Sequence, residues 1–197
     1  MEPATTPAVA LTFDDGPTPA TTERLVALLC EAGAAATVFV QGNRVSERPD
    51  LLRAYADAGL VVANHSWDHP DLTTLPLDHA RDQLARTQDV VTEVLGVTPT
   101  MFRPPYGATN PDVVAVAAEL GLTQVLWDVE PKDWDGTSAT LIRERVSAAT
   151  AGDVVLLHDW PPATLEALPG ILADLRARGL RPGVIDIATG RATDPRG

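Results

Sequence analysis

Cysteine is almost missing from this chain: Cys30 is the single example among 197 residues. One thiol excludes a disulfide within the chain. Its place in a run with helical periodicity, residues 22–32, predicts a small buried side chain. Positive charge is also scarce. Against 27 Asp and Glu stand 15 Lys and Arg, a formal net charge of −12. That balance disfavours nucleic acid and anionic lipid, and suits a neutral or cationic substrate. No apolar run approaches the roughly 20 residues of a membrane-crossing helix. The opening MEPATTP lacks both the basic and the apolar region of a signal peptide. The chain is therefore expected to be cytoplasmic, or a mature form whose export segment was removed. Aromatic residues are 5% of the chain against 45% hydrophobic residues, so the core is expected to be mostly Ala, Val and Leu. Low-complexity linkers and short repeats are absent. Residues 1–197 read as one domain, with loose ends at 1–7 and 191–197.

What the chain does have is alternation. Apolar runs of strand length are expected at 8–13, 36–40, 61–64, 101–102, 123–127, 154–157 and 184–187. Amphipathic runs of helix length lie between them, at 22–32, 49–58, 77–95, 111–120, 138–149 and 164–178. Gly33, Gly59, Gly96, Gly121, Gly152 and Gly179 sit where helices should end. Short apolar strands separated by helices predict an α/β fold with a parallel sheet under helices. About seven such units fit a closed or nearly closed β/α barrel, with an open doubly wound sheet as the alternative.

Polar residues then collect where strands end. The segment LTFDDGP, 11–17, closes the first strand with two adjacent carboxylates, Asp14 and Asp15. Such a pair can hold a metal with one group and take a proton from water with the other, although a solvated turn is the commoner fate of Asp-Asp-Gly. After the third strand comes NHSWDH, in which His65 and His69 stand four residues apart and can reach one ion. His79 belongs to a polar helix and reads as a surface residue. One carboxylate with two imidazoles leaves positions open for water and a substrate oxygen, the catalytic rather than structural pattern. The fourth strand leads into FRPPYG, 102–107, whose prolines and glycine stiffen a turn able to aim a main-chain N–H at an oxyanion. WDVEPKDW, 127–134, follows, and the sixth strand ends in LLHDW, with His158 where a general acid or base would stand.

In that order, TFDDGP, HSWDH, RPPYG, the PKDW segment and LLHDW resemble the motifs of the polysaccharide deacetylase family, the NodB-homology carbohydrate esterases. The resemblance runs from about Val9 to about Ile187. WDVEPKDW and HDWPPATLEALP are most similar to actinobacterial acetyl-xylan esterases and their chitooligosaccharide-active relatives. The resemblance implies a distorted (β/α) barrel and removal of acetyl groups from acetylated polysaccharides or oligosaccharides. It implies Asp14 as general base, Asp15, His65 and His69 as ligands of Zn2+ or alternatively Co2+, and Arg103 as the group orienting Asp14. The main-chain N–H of Tyr106 would meet the oxyanion, and His158 would be the general acid, tuned by Asp133. Trp134 would wall the acetyl pocket, Leu157 would touch the acetyl methyl, and Pro104 would line the substrate site. Trp67 and Trp160 suit stacking on pyranose rings as well as they suit loop packing. Glu130 departs from the aspartate that many members carry. The implied partner is the acetylated carbohydrate substrate alone, with no nucleic acid and no membrane, and the protein is expected to be a monomer; the substrate class implies work outside the cell. A catalytically silent carbohydrate-binding module on the same fold is the competing reading, and a metal-independent amidohydrolase relative is a third.

Overall fold

The computed structural model describes residues 7–195. Its centre is β1 (Ala8–Asp14), every residue of which is buried. A strand covered on both faces has no polar alternation, so AVALTF reads as one apolar run. After it come α1 (Thr22–Ala32), β2 (Thr37–Val40), α2 (Gly42–Glu47), α3 (Pro49–Asp57), β3 (Val61–Asn64) and α4 (Leu77–Leu95). The second half comprises β4 (Met101–Phe102), α5 (Pro111–Glu119), β5 (Thr123–Gln124), α6 (Ala139–Val146), β6 (Val154–His158), α7 (Pro162–Ala177), β7 (Arg181–Asp186) and β8 (Arg191–Thr193).

Strands β5-β4-β3-β2-β1-β7 neighbour one another in that order, and β6 also pairs with β1. All these pairings are parallel. The outcome is the expected α/β architecture, a curled half-barrel of about seven parallel strands. An irregular segment after β5 completes the curl. Val129 bridges Val155 in parallel, the Asp128 N–H donates to the Val154 carbonyl at 2.9 Å, and the Leu156 N–H donates to the Val129 carbonyl at 2.9 Å.

Two-residue alternation sorts the core. Val9, Leu11, Phe13, Val38, Val155 and Leu157 pack outward against α1 and α7 through Leu25, Leu29, Leu165 and Leu168. Ala10, Phe39, Ala63, Met101, Val125 and Val154 fill the inside of the curl. Asp14 and His158 are register partners at the C-terminal ends of β1 and β6, so the polar strand tips sit above the inner apolar layer.

Several expectations change. The strand expected over 123–127 stops at Gln124, because the buried Arg103 guanidinium donates to the carbonyls of Val125 and Leu126 that a longer ladder would use. The segment 191–193 is β8, paired antiparallel with β7, and not a loose end. Pro7 is also tied down, its carbonyl accepting from the Arg181 N–H at 2.9 Å. Asp194 is buried too, 3.8 Å from Arg181 Nη1, while 1–6 and 196–197 lie outside the described residues. Cys30 is exposed, not buried, since α1 turns the adjacent Leu29 to the core. His79 is exposed as expected. The six glycines expected at helix ends all have positive φ, from 58° to 93°. No helix among the described residues is long and apolar enough to cross a membrane.

Candidate active site

Asp14 is the last residue of β1 and points inward, 3% exposed. Strand alternation would send Asp15 to the opposite face. Its φ of 76° breaks the alternation and turns the second carboxylate onto the same side. Arg103, wholly buried, sits beneath the pair and donates from Nη1 to Asp14 Oδ1 and to Thr12 Oγ1, each at 2.7 Å. Phe39 covers the guanidinium at 4.1 Å. With one oxygen pinned by a charge-assisted bond, Asp14 keeps Oδ2 free to face the cavity.

His65 follows β3, and its Nδ1 lies 2.8 Å from the Arg103 carbonyl. A carbonyl only accepts, so Nδ1 carries the proton and Nε2 is the bare nitrogen of the neutral ring. That Nε2 stands 3.5 Å from Asp15 Oδ1 and 3.8 Å from Asp14 Oδ2. His69, brought round by left-handed residues at Ser66 and at His69 itself, places Nε2 3.4 Å from the same Asp15 Oδ1. The donor atoms of Asp15, His65 and His69 all lie within 4.8 Å of one another. Acceptors facing each other at this range require a cation or a proton between them. Tetrahedral ligands about 2.0–2.1 Å from a zinc ion stand about 3.4 Å apart, which is the spacing of Asp15 to each histidine. The set fits a divalent metal. Burial pushes the Asp15 carboxyl upward, but the nearby His65, His158 and His69 outweigh it and hold the group below its usual value. His69 is held below the usual histidine value by burial and by His65.

Across the cavity His158 Nδ1 meets Asp133 Oδ1 at 2.8 Å. The other Asp133 oxygen accepts from the His158 main-chain N–H at 2.8 Å and from Thr164 Oγ1 at 2.6 Å. Burial alone would lower the His158 pKa; the bond and the charge of Asp133 exceed it, and the group titrates above the usual histidine value. The pocket between these pairs has a volume of about 340 Å³. Pro104, Tyr106, Trp134 and Trp160 line it. Tyr106 adopts φ 61°, with its ring edge-on to His69 at 4.6 Å. Gly107 leaves room for Trp127, whose ring a Cβ would approach to 2.7 Å.

Two expected substrate residues stand elsewhere. Leu157 pairs in register with Phe13 on the outer face and is fully buried in the main core. Its neighbour Leu156 faces the pocket instead, as alternation from His158 requires. Trp67 is not among the pocket residues. It packs over the Gly42 backbone, with the Arg86 guanidinium 4.0 Å from its ring. Replacing Leu157 by Ala is expected to cost about 2–5 kcal/mol of stability and to spare catalysis below the melting point. Leu156→Ala is expected to lower kcat/KM by about tenfold or more. Thermal melts paired with initial rates separate the two, and the reverse pattern would restore Leu157 to the acetyl site.

The sequence assigns no role to Trp127 and Leu156 in the wall or to Gln41 and Asp159 behind it, and marks Glu130, also in the wall, only as a departure from the family. Glu130 accepts from Trp134 Nε1 at 3.3 Å. Asp159, fully buried, accepts from the Thr18 N–H and from the hydroxyls of Thr18, Thr22 and Tyr55. It ties the loop after β1 to the loop after β6, and burial raises its pKa against these donors. The available signal was position, since each of these residues is beside a strand tip or beside a residue already chosen.

The chain matches the profile of the family described as polysaccharide deacetylase over residues 2–125. It is 40% identical over 189 residues to a bifunctional xylanase/xylan deacetylase of Cellvibrio japonicus, covering 95% of this chain and 28% of that protein. A chitooligosaccharide deacetylase of Rhizobium leguminosarum bv. trifolii is 35% identical over 186 residues, covering 87% of this chain and 86% of the relative. The solved structure of a family 4 carbohydrate esterase from Streptomyces lividans in complex with acetate superposes with a TM-score of 0.94 at 44% identity, covering 98% of this chain and all of that one. Several curated relatives are much longer, and the chain spans 28–38% of their length.

Proposed function

We propose that this chain, which belongs to the polysaccharide deacetylase family, is a metal-dependent hydrolase that removes acetyl groups from polysaccharides or oligosaccharides. The observation that carries the reading is the convergence of two hydrogen-bonded ion pairs, Asp14 with Arg103 and His158 with Asp133, on either side of the Asp15, His65 and His69 donor set. A silent binding module has no use for a buried arginine on one carboxylate and a buried carboxylate on the facing histidine.

The residues divide the work. Asp15 Oδ1 and the two histidine Nε2 atoms would hold a divalent cation, with zinc first and cobalt as the alternative. When bound, such an ion supplies Lewis-acid polarisation of the acetyl carbonyl and lowers the pKa of water. Asp14 takes the water proton on Oδ2, while Arg103 keeps the carboxylate oriented. The Tyr106 main-chain N–H donates to the oxyanion as it forms. His158 holds a proton on Nε2, because Asp133 favours the imidazolium, and passes it to the departing sugar nitrogen or oxygen. Leu156 and Trp127 form an apolar seat for the methyl, and Tyr106, Trp134 and Trp160 offer ring faces to the sugar.

Acetate release from chitopentaose, acetylated xylan and peptidoglycan fragments tests this reading. Zinc- or cobalt-loaded protein is expected to deacetylate at least one of them, and the open, short-looped cavity favours more than one. Sugar binding without acetate release from any member of the panel would return the reading to the silent module.

A further inference from the structure

We infer that Gln41 and Trp160 are positioning residues that fix Asp15 as a one-oxygen ligand and so set how tightly the cation is held. The inference rests on the reading of Asp15, His65 and His69 as its ligands. Both oxygens of Asp15 are engaged by neutral donors. Gln41 Nε2 donates to Oδ1 at 2.8 Å, and Trp160 Nε1 donates to Oδ2 at 2.9 Å. Held at both oxygens, the carboxylate cannot rotate about Cβ–Cγ without losing a bond. Oδ1 is the oxygen that faces both histidines, whereas Oδ2 is turned to the indole.

Gln41 is itself anchored. It is 6% exposed and stands immediately before α2, a helix with no hydrophobic periodicity to announce it. Its main-chain N–H donates to the Gly16 carbonyl at 3.0 Å, so side chain and backbone grip consecutive residues of the loop after β1. The next two N–H groups reach the other ligand loop, Gly42 to the Ser66 carbonyl at 3.0 Å and Asn43 to the Trp67 carbonyl at 2.9 Å. Three successive residues thus join the segment carrying Asp15 to the segment carrying His65 and His69. A Cβ at position 42 would come within 2.5 Å of the Trp67 ring and 2.6 Å of Thr87 Oγ1, so the approach depends on glycine. The packing of Trp67 belongs to this strut and not to the sugar site. On the other side Trp160, 38% exposed, forms part of the cavity wall and at the same time restrains Asp15.

Partners of metal ligands change affinity by about 10–100-fold when removed. Metal-stripped protein is titrated with Zn2+ against a chromophoric chelator, and with Co2+ while its visible absorption is followed. Wild-type chain is expected to bind one equivalent. Gln41→Leu and Trp160→Phe each remove the donor to one Asp15 oxygen, and each is expected to weaken binding about 10–100-fold and to alter the Co2+ spectrum, with far-ultraviolet dichroism unchanged. Wild-type affinity and spectrum in both variants would overturn the inference. If Gln41→Leu does not fold, Trp160→Phe, at an exposed ring, decides the question alone. A wild-type chain that binds neither ion overturns the metal reading itself, a different result from intact variants.

Discussion

Alanine in place of His65 or His69, or asparagine in place of Asp15, is expected to bring acetate release to background and to release the metal, while the fold survives. The survival follows from where stability resides. None of the three belongs to the hydrophobic clusters, the main one of which runs through Val9, Leu11, Phe13 and the faces of α1 and α7, so the apolar core stays whole, and the one buried bond given up is that of His65 Nδ1 to the Arg103 carbonyl. A zinc finger, whose metal supplies the folding energy, would behave in the opposite way. A chelator should likewise abolish activity, and added zinc or cobalt should restore it. Asp14→Asn is the contrasting variant. Its Oδ2 is 3.8 Å from His65 Nε2, farther than Asp15 Oδ1, and its Oδ1 is committed to Arg103. The asparagine chain should keep its metal and lose about 100- to 10,000-fold in turnover, the range for a general base. Metal analysis beside initial rates distinguishes the two classes. Full activity in verified metal-free protein would reject the metal reading. Metal loss in Asp14→Asn with retention in Asp15→Asn would exchange the two roles.

The contrast between Asp14 and Asp15 also marks the limit of what sequence conveyed. Strand positions and the polar tips were legible because a doubly covered parallel strand is apolar throughout and stops where its side chains meet water. Asp14, Asp15, His65, His69, Arg103, Tyr106, Asp133 and His158 therefore came to one place. Facing was harder. The LLHD motif suggests Leu157 for the acetyl methyl, whereas alternation from His158 turns Leu156 to the pocket. Trp67 suited a sugar platform and loop packing equally from its motif, and its place over Gly42 and under Arg86 takes the second. The strut at 41–43 left no trace, since its work is done by main-chain N–H groups and one amide. The strand β8 was missed for a related reason: Arg-Ala-Thr is too short and polar to show a period, and pairing with β7 supplies what propensity does not.

His158→Ala is expected to divide substrates by leaving group. An amide must depart as an amine, whose anion is too basic to leave unprotonated. A sugar hydroxyl leaves more readily, and a phenolate from an aryl acetate needs almost no proton. The variant should therefore lose most on chitooligosaccharide, less on acetylated xylan and least on aryl acetate, with the first loss about 100-fold or more. The pH profile carries the same assignment. Burial would depress His158, yet hydrogen bonding and charge from Asp133 raise it, so the imidazolium persists above the usual histidine range. The alkaline limb of kcat/KM on amides should lie there, and Asp133→Asn should move it to lower pH. Linkage gives a second readout with the same sign. A histidine whose folded pKa is raised stabilises the fold fully below its unfolded value of about 6.5, and that contribution is lost as pH rises through the folded value. Part of the upward pull comes from Asp14 and Asp15 and would be shared with a cation held there. The Asp133 bond is not shared, so the Asn variant isolates it. An equal loss on all three leaving groups would make His158 a positioning residue and leave the amine to find its proton elsewhere.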